Sequence, residues 1–335
     1  MKHMTSQIAK TAHWAAFLSL ALSCAHAHAS GTARYTLETV GPAGKWVKPE
    51  GISPGGRITG SYDNQKTLED SAFTYVNGRY RRFPSVEPAS GVAINDAGVI
   101  VGWSPGPESR SDFYEDETGR HTIKAGGFTA EDVNDSGLVV GAHYDVSGRR
   151  TGAVYSIATA TFEFIPGVGR NHSRPKAINN AGTVAGYIHE GPCFTYKDKV
   201  MTDIGTLGGS TCYANDINEH GEVVGESKNS RGRPRAFLWK NGLMIDLVPT
   251  QGTSWATGIN NQHQIVGAWS ASDGSDFFLW ENGSAVDVMS LLGPADKERL
   301  QDIYRLTGIN DSGEIIGWGT IEGEMRTFIM KPIAP

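Results

Sequence analysis

One nine-residue sentence recurs along this chain at a nearly fixed interval, and it constrains the fold more than any other feature. Ile94-Asn-Asp-Ala-Gly-Val-Ile-Val-Gly102 and Val133-Asn-Asp-Ser-Gly-Leu-Val-Val-Gly141 are its clearest copies. It returns at Ile178–Gly186, Ile217–Gly225, Ile259–Gly267 and Ile309–Gly317, with a degenerate first copy at Ile52–Gly60. The closing glycines are spaced by 42, 39, 45, 39, 42 and 50 residues. A period near 40–45 residues is the length of a four-stranded propeller blade. Seven copies therefore predict an all-β, seven-bladed β-propeller.

Each copy divides into strands. A short first strand ends at the Ile-Asn pair, and a four-residue turn follows whose last position is Gly in six copies and His263 in the seventh. That composition suits a type I turn closed by a left-handed residue, so His263 must either accept positive φ or change the turn. The second strand, as in Val99-Ile-Val101, is continuously apolar and is expected to be buried on both faces. Its terminal Gly marks a place where another backbone comes close. An aromatic third strand, as in Ala236-Phe-Leu-Trp239, runs into tight hairpins at Asn77-Gly78, Thr118-Gly119, Asn241-Gly242 and Asn282-Gly283. The last copy stops after its third strand, while residues 35–40 read as a fourth strand with nothing before them. Pairing 35–40 with 327–330 closes the ring and removes exposed edges.

Residues 1–29 read as a secretory signal peptide: Lys2 and Lys10, an apolar run from Trp14 to Leu22, then small residues around Ala27 and Ala29. A single domain is then expected over 30–335, secreted to the periplasm or beyond the cell. No later run approaches the ~20 apolar residues of a membrane span. The net charge of -6 opposes nucleic-acid binding, which needs a basic footprint. Cleavage would leave Cys193 and Cys212, most simply one disulfide in an oxidising compartment.

The repeat resembles that of the HAF family of extracellular repeat proteins. The closest stretch is Met201-Thr-Asp-Ile-Gly-Thr-Leu-Gly-Gly209, then Asn218-Glu-His-Gly-Glu-Val-Val-Gly225, then Arg235-Ala-Phe-Leu-Trp239. The likeness covers essentially all of the chain after the leader, although the family's name-giving His is replaced by Ser71, Arg235 or Asp276. The resemblance implies secretion and a repeat fold, and it supplies no catalytic set.

Function is expected on the face formed by the second-to-third loops and the blade-to-blade crossings, because these vary while the tight turns do not. There His143, Tyr144, Arg149 and Arg150 stand on one loop, and Arg170, His172, Arg174 and Lys176 on a neighbouring crossing. In an acidic protein such a basic cluster suits a carboxylate or sulfate. Tyr213 and Trp255, just ahead of first strands, offer flat surfaces on which a sugar can stack. The leading expectation is a monomeric, non-enzymatic module that binds an extracellular glycan or protein partner. The alternative is a polysaccharide lyase acting on an acidic polysaccharide, with Arg neutralising a uronate and His or Tyr taking the proton. No cofactor is expected, and no metal. Asp132-Val-Asn-Asp-Ser-Gly137 imitates a calcium loop but has His143 where the closing Glu belongs, and turn geometry explains the same letters in other copies.

Overall fold

A computed structural model describes residues 33–42, 46–63, 71–82, 89–105, 110–123, 127–145, 147, 149–169, 172–250, 252–271 and 274–334. The leader expected over 1–29 lies outside the described residues, as does Arg170. Seven four-stranded antiparallel sheets form the blades of a propeller. Their innermost strands are Trp46–Ile52, Ser90–Ile94, Phe128–Val133, Ser173–Ile178, Gly208–Ile217, Ser254–Ile259 and Leu300–Ile309, numbered here as blades one to seven.

The last sheet is completed from the other end of the chain. Tyr35–Val40 pairs antiparallel with Glu324–Pro332, with Tyr35 opposite Pro332 and Val40 opposite Thr327. Tyr35, Leu37 and Val40 are buried there, so this outer strand is held by packing as well as by its ladder. Its far edge is covered by an element that the repeat pattern does not announce. The long crossing between blades six and seven folds into a 3-10 turn, Val288–Leu291, and a short helix, Pro294–Arg299. Asp296 accepts the Leu37 N–H at 3.0 Å, and Leu291 accepts that of Arg34 at 2.9 Å. The 50-residue final spacing is this edge cover.

Inside the blades the repeated letters have separable roles. The second strands are buried on both faces: Val139, Val140, Val223, Val224, Ile265 and Val266 are fully covered. The Gly expected to end each second strand lies inside it, since the strand runs on past it, and it faces a β-bulge in the first strand. A Cβ on Gly60, Gly102, Gly141 or Gly225 would lie within 2.1 Å of a first-strand carbonyl oxygen, far inside contact distance. An aromatic ring covers the bare glycine, Phe73 over Gly60 and Phe278 over Gly267. In blade three the third strand supplies Ala153 at this place, and Phe128 of the first strand fills it instead. His263 takes φ 61°, so the turn keeps its geometry and the side chain accepts the strain.

The turn Asn is an inter-blade clasp. Its side-chain oxygen accepts an N–H four residues on, at Val99, Leu138, Thr183, Glu222, Gln264 and Glu314. Its amide donates to the turn carbonyl of the next blade, from Asn95 to Asn134, Asn179, Asn218, Asn260 and Asn310 in succession. The next turn residue adds a second relay: Asp135, Asn180, Glu219, Asn261 and Asp311 each accept the N–H of the preceding blade's turn. The apparent calcium letters are thus this clasp, and among the described residues no group of three His, Cys, Asp or Glu is placed to hold a metal.

Cys193 and Cys212 form a disulfide, with Cα atoms 5.2 Å apart and both residues fully buried. Cys212 lies within the first strand of blade five rather than in the crossing before it, so the bond joins two sheets directly. No helix of the described chain is long and apolar enough to cross a membrane.

Candidate functional site

Seven first strands converging on one axis enclose a cavity of about 580 Å³. Each strand contributes to its wall, and the side chains that reach it are not equivalent. Blades one and seven bring Glu50 and Arg305, 3.9 Å apart and too far for a direct hydrogen bond. On the opposite side, blades three and four bring Glu131 and Lys176 in a short ion pair. Trp255 and Tyr304 present rings to the same space. Trp255 is backed by the core of blades six and seven, while Tyr304 is 45% exposed and tied by its hydroxyl to Thr320 at 2.8 Å.

Asp132 and Asp216 stand deeper in this wall, at the boundary with a smaller cavity of about 100 Å³ on the turn side. Each bridges two blades: Asp132 accepts the N–H groups of Val133 and Ile178, and Asp216 those of Ile217 and Ile259. Burial pushes both carboxyls up to about 7, against the pull of those N–H donors; the charge of Asp216 adds to the rise at Asp132. Burial also raises Glu50, with Arg305 and Lys48 opposing. These residues were missed by sequence reasoning, yet one signal existed. The position before the repeat's Ile or Val is Gly or Ala in five copies and Asp in two.

The residues nominated from sequence separate into groups. Arg149, Arg150 and His172 line one small cavity of about 80 Å³ between blades three and four. Tyr144 lies against it, its ring under the Arg150 guanidinium at 5.2 Å. His143 turns to the other face of its sheet and meets Phe162 and Phe164 edge-on. Arg174 is half-buried in the first strand of blade four, its Nε without a hydrogen-bond partner. Tyr213 is partly exposed and packs edge-on against Tyr187 at 4.9 Å. Of the nominated residues, Trp255 and Lys176 line the axial cavity, Lys176 from the first strand of blade four and not from the crossing before it. Other aromatics near the repeat serve packing: Trp269 stacks on Phe278 at 5.4 Å and donates to Asp276.

The chain matches no family model and no curated protein. Among solved structures it is similar to the β-propeller domain of the Trilobed protease from Pyrococcus furiosus, at 12% identity and a TM-score of 0.57, covering 91% of this chain and 97% of that one. A prolyl endopeptidase aligns at 10% identity and a TM-score of 0.58, covering 90% of this chain. The chain spans only 51% of that peptidase's length. YCF48 bound to D1 peptide aligns at 8% identity and a TM-score of 0.54, covering 91% and 98%. At these identities the likeness concerns the propeller fold.

Proposed function

We propose that this chain is a secreted or periplasmic member of the HAF-type repeat proteins, acting as a non-enzymatic module that binds an extracellular glycan at the loop-side mouth of its axial cavity. The observation that carries the reading is the wall itself. Trp255 and Tyr304 offer flat apolar faces, and Glu50, Arg305, Glu131 and Lys176 surround them with hydrogen-bonding groups. Sugar recognition needs that combination of a stacking surface and polar partners that fix orientation. The Glu131–Lys176 ion pair holds two of these polar groups in place, which leaves less ordering for the moment of binding.

The test is a glycan array followed by titration of any hit against wild type, Tyr304→Ala and Trp255→Phe. The expected result is a loss of at least ~10-fold for Tyr304→Ala, since stacked aromatics are frequent anchors of binding. Equal affinity of all three proteins would remove the axial cavity from consideration. Absence of any glycan hit, with capture of a protein ligand instead, would transfer the site to a protein partner.

A second reading, lyase action on an acidic polysaccharide, is favoured by the grouping of Arg149, Arg150 and His172 around one cavity beside Tyr144. It requires new ultraviolet absorbance from unsaturated chain ends on incubation with polyuronates, a signal that a binding module does not produce.

A further inference from the structure

The small cavity between blades three and four has a chemistry of its own. Its wall comprises Arg149, Arg150, Thr151, His172 and Ser173, with Gly167 and Gly169. None of these is acidic, in a chain of net charge -6. Its volume of about 80 Å³ holds two to three waters at ~30 Å³ each, or one oxyanion.

Two carboxylates stand nearby, and neither is placed in the cavity wall. Glu131 is held by Lys176 and stays 4.0 Å from Arg150, beyond hydrogen-bond reach. Asp145 is bound into its own turn, where one oxygen accepts from the Ser147 N–H, the Ser147 hydroxyl and the Arg149 N–H. Ser173 donates its hydroxyl to Ile165 and accepts from Gly152. Arg150 is meanwhile fixed in place over the Tyr144 ring. Its Nε is buried with no hydrogen-bond partner. A buried donor without an acceptor is costly, and one on a guanidinium that lines a cation-rich cavity indicates a missing acceptor of negative charge.

We infer that this cavity is an oxyanion subsite, and that the glycan bound by the protein carries sulfate or carboxylate groups. The inference rests on the glycan reading above and narrows its ligand class. Glu131 connects the two places, since it lines the axial cavity and also lies beside Arg150. A chain stacked on Trp255 and Tyr304 would thus extend toward a pair of guanidinium groups, which suit both oxyanions.

The experiment measures binding of labelled dextran sulfate, polygalacturonate and neutral dextran to the full chain at low and high salt. Wild type, the double variant Arg149→Gln/Arg150→Gln and the control Arg231→Gln are compared, with melting curves to confirm folding. Wild type is expected to bind at least one acidic polymer ~10-fold more tightly than dextran, and less tightly as salt rises. The double variant falls to the dextran level, while Arg231→Gln matches wild type. Which acidic polymer is preferred tells sulfate from carboxylate. A double variant that keeps the acidic preference overturns the subsite, as does wild type that binds neutral and acidic polymers alike. In the second case the glycan module still stands. Failure to bind any of the three, together with an empty glycan array, removes both.

Discussion

At the turn end of the wheel, six blades present the same Asn, and five of those side chains reach the next blade with the same amide hydrogen bond. At the loop end the blades differ: a disulfide joins the strands of blades four and five, the crossing between six and seven holds a short helix, and a basic cavity lies between three and four. The difference teaches where each kind of residue is constrained. A turn-end residue must satisfy its own blade and its neighbour at once, so its chemistry repeats. A loop-end residue is answerable only locally, which leaves room for a ligand.

Removing the closing strand is the severest way to break this contrast. Deleting residues 33–41 exposes the partners of Tyr35, Leu37 and Val40, three side chains at ~1.5–3 kcal/mol each. That is comparable with the whole stability of a domain, and the expected outcome is loss of the cooperative melting transition. A variant that melts like wild type would deny that the ring is closed by this strand.

Opening the Cys193–Cys212 bond is next. Closure of a loop with a sequence separation of 19 is worth about 3 kcal/mol, so Cys193→Ala/Cys212→Ala should shift a denaturation midpoint accordingly. Asn218→Ala follows at about 2 kcal/mol, because it takes the side-chain acceptor from the N–H groups of His220 and Glu222 and one of two donors from the Asn260 carbonyl. Were Asn218→Ala neutral, the turn end would be no more constrained than the loop end.

A gentler probe uses pH. Asp132 and Asp216 titrate near 7 in the folded protein and near ~4 when unfolded, so their contribution is complete below ~4 and lost as pH rises through 7. The melting temperature should therefore decline between pH 5 and 8, and Asp132→Asn/Asp216→Asn should flatten that slope whatever its absolute stability. An unchanged slope would mean that both carboxylates are already ionised at pH 5. The smallest effect is expected at the loop end: Arg149→Gln, at an exposed position, should stay within ~0.5 kcal/mol of wild type.

Much of the frame was legible because a repeat states each rule several times. The glycine of the second strand, the turn position of His263 and the pairing of 35–40 with the last blade all follow from letters in register. Blade three shows the limit, since its ring over Gly141 comes from Phe128, a residue outside the repeated sentence. The site was less legible. Glu50 and Arg305 are 255 positions apart, and they meet only when the first and last blades become neighbours. His143 and Tyr144 are adjacent in sequence, but the pleat sends consecutive side chains to opposite faces, which separates them.

The relay of turn amides is missing at two adjacent boundaries, seven to one and one to two. Blade one carries Ser53 in place of Asn, and the Asn310 amide turns back to Glu314 instead of reaching across. The seven-to-one boundary follows the sheet that is completed by a separate segment of chain. Under tension or heat, the first sector is therefore the one least fastened at its turn end, while hydrogen bonds from the Thr327 hydroxyl to Val47 and from the Asp311 N–H to Pro54 still tie it to the seventh. Solvent exchange of backbone hydrogens should begin in that first sector and spread outward in both directions.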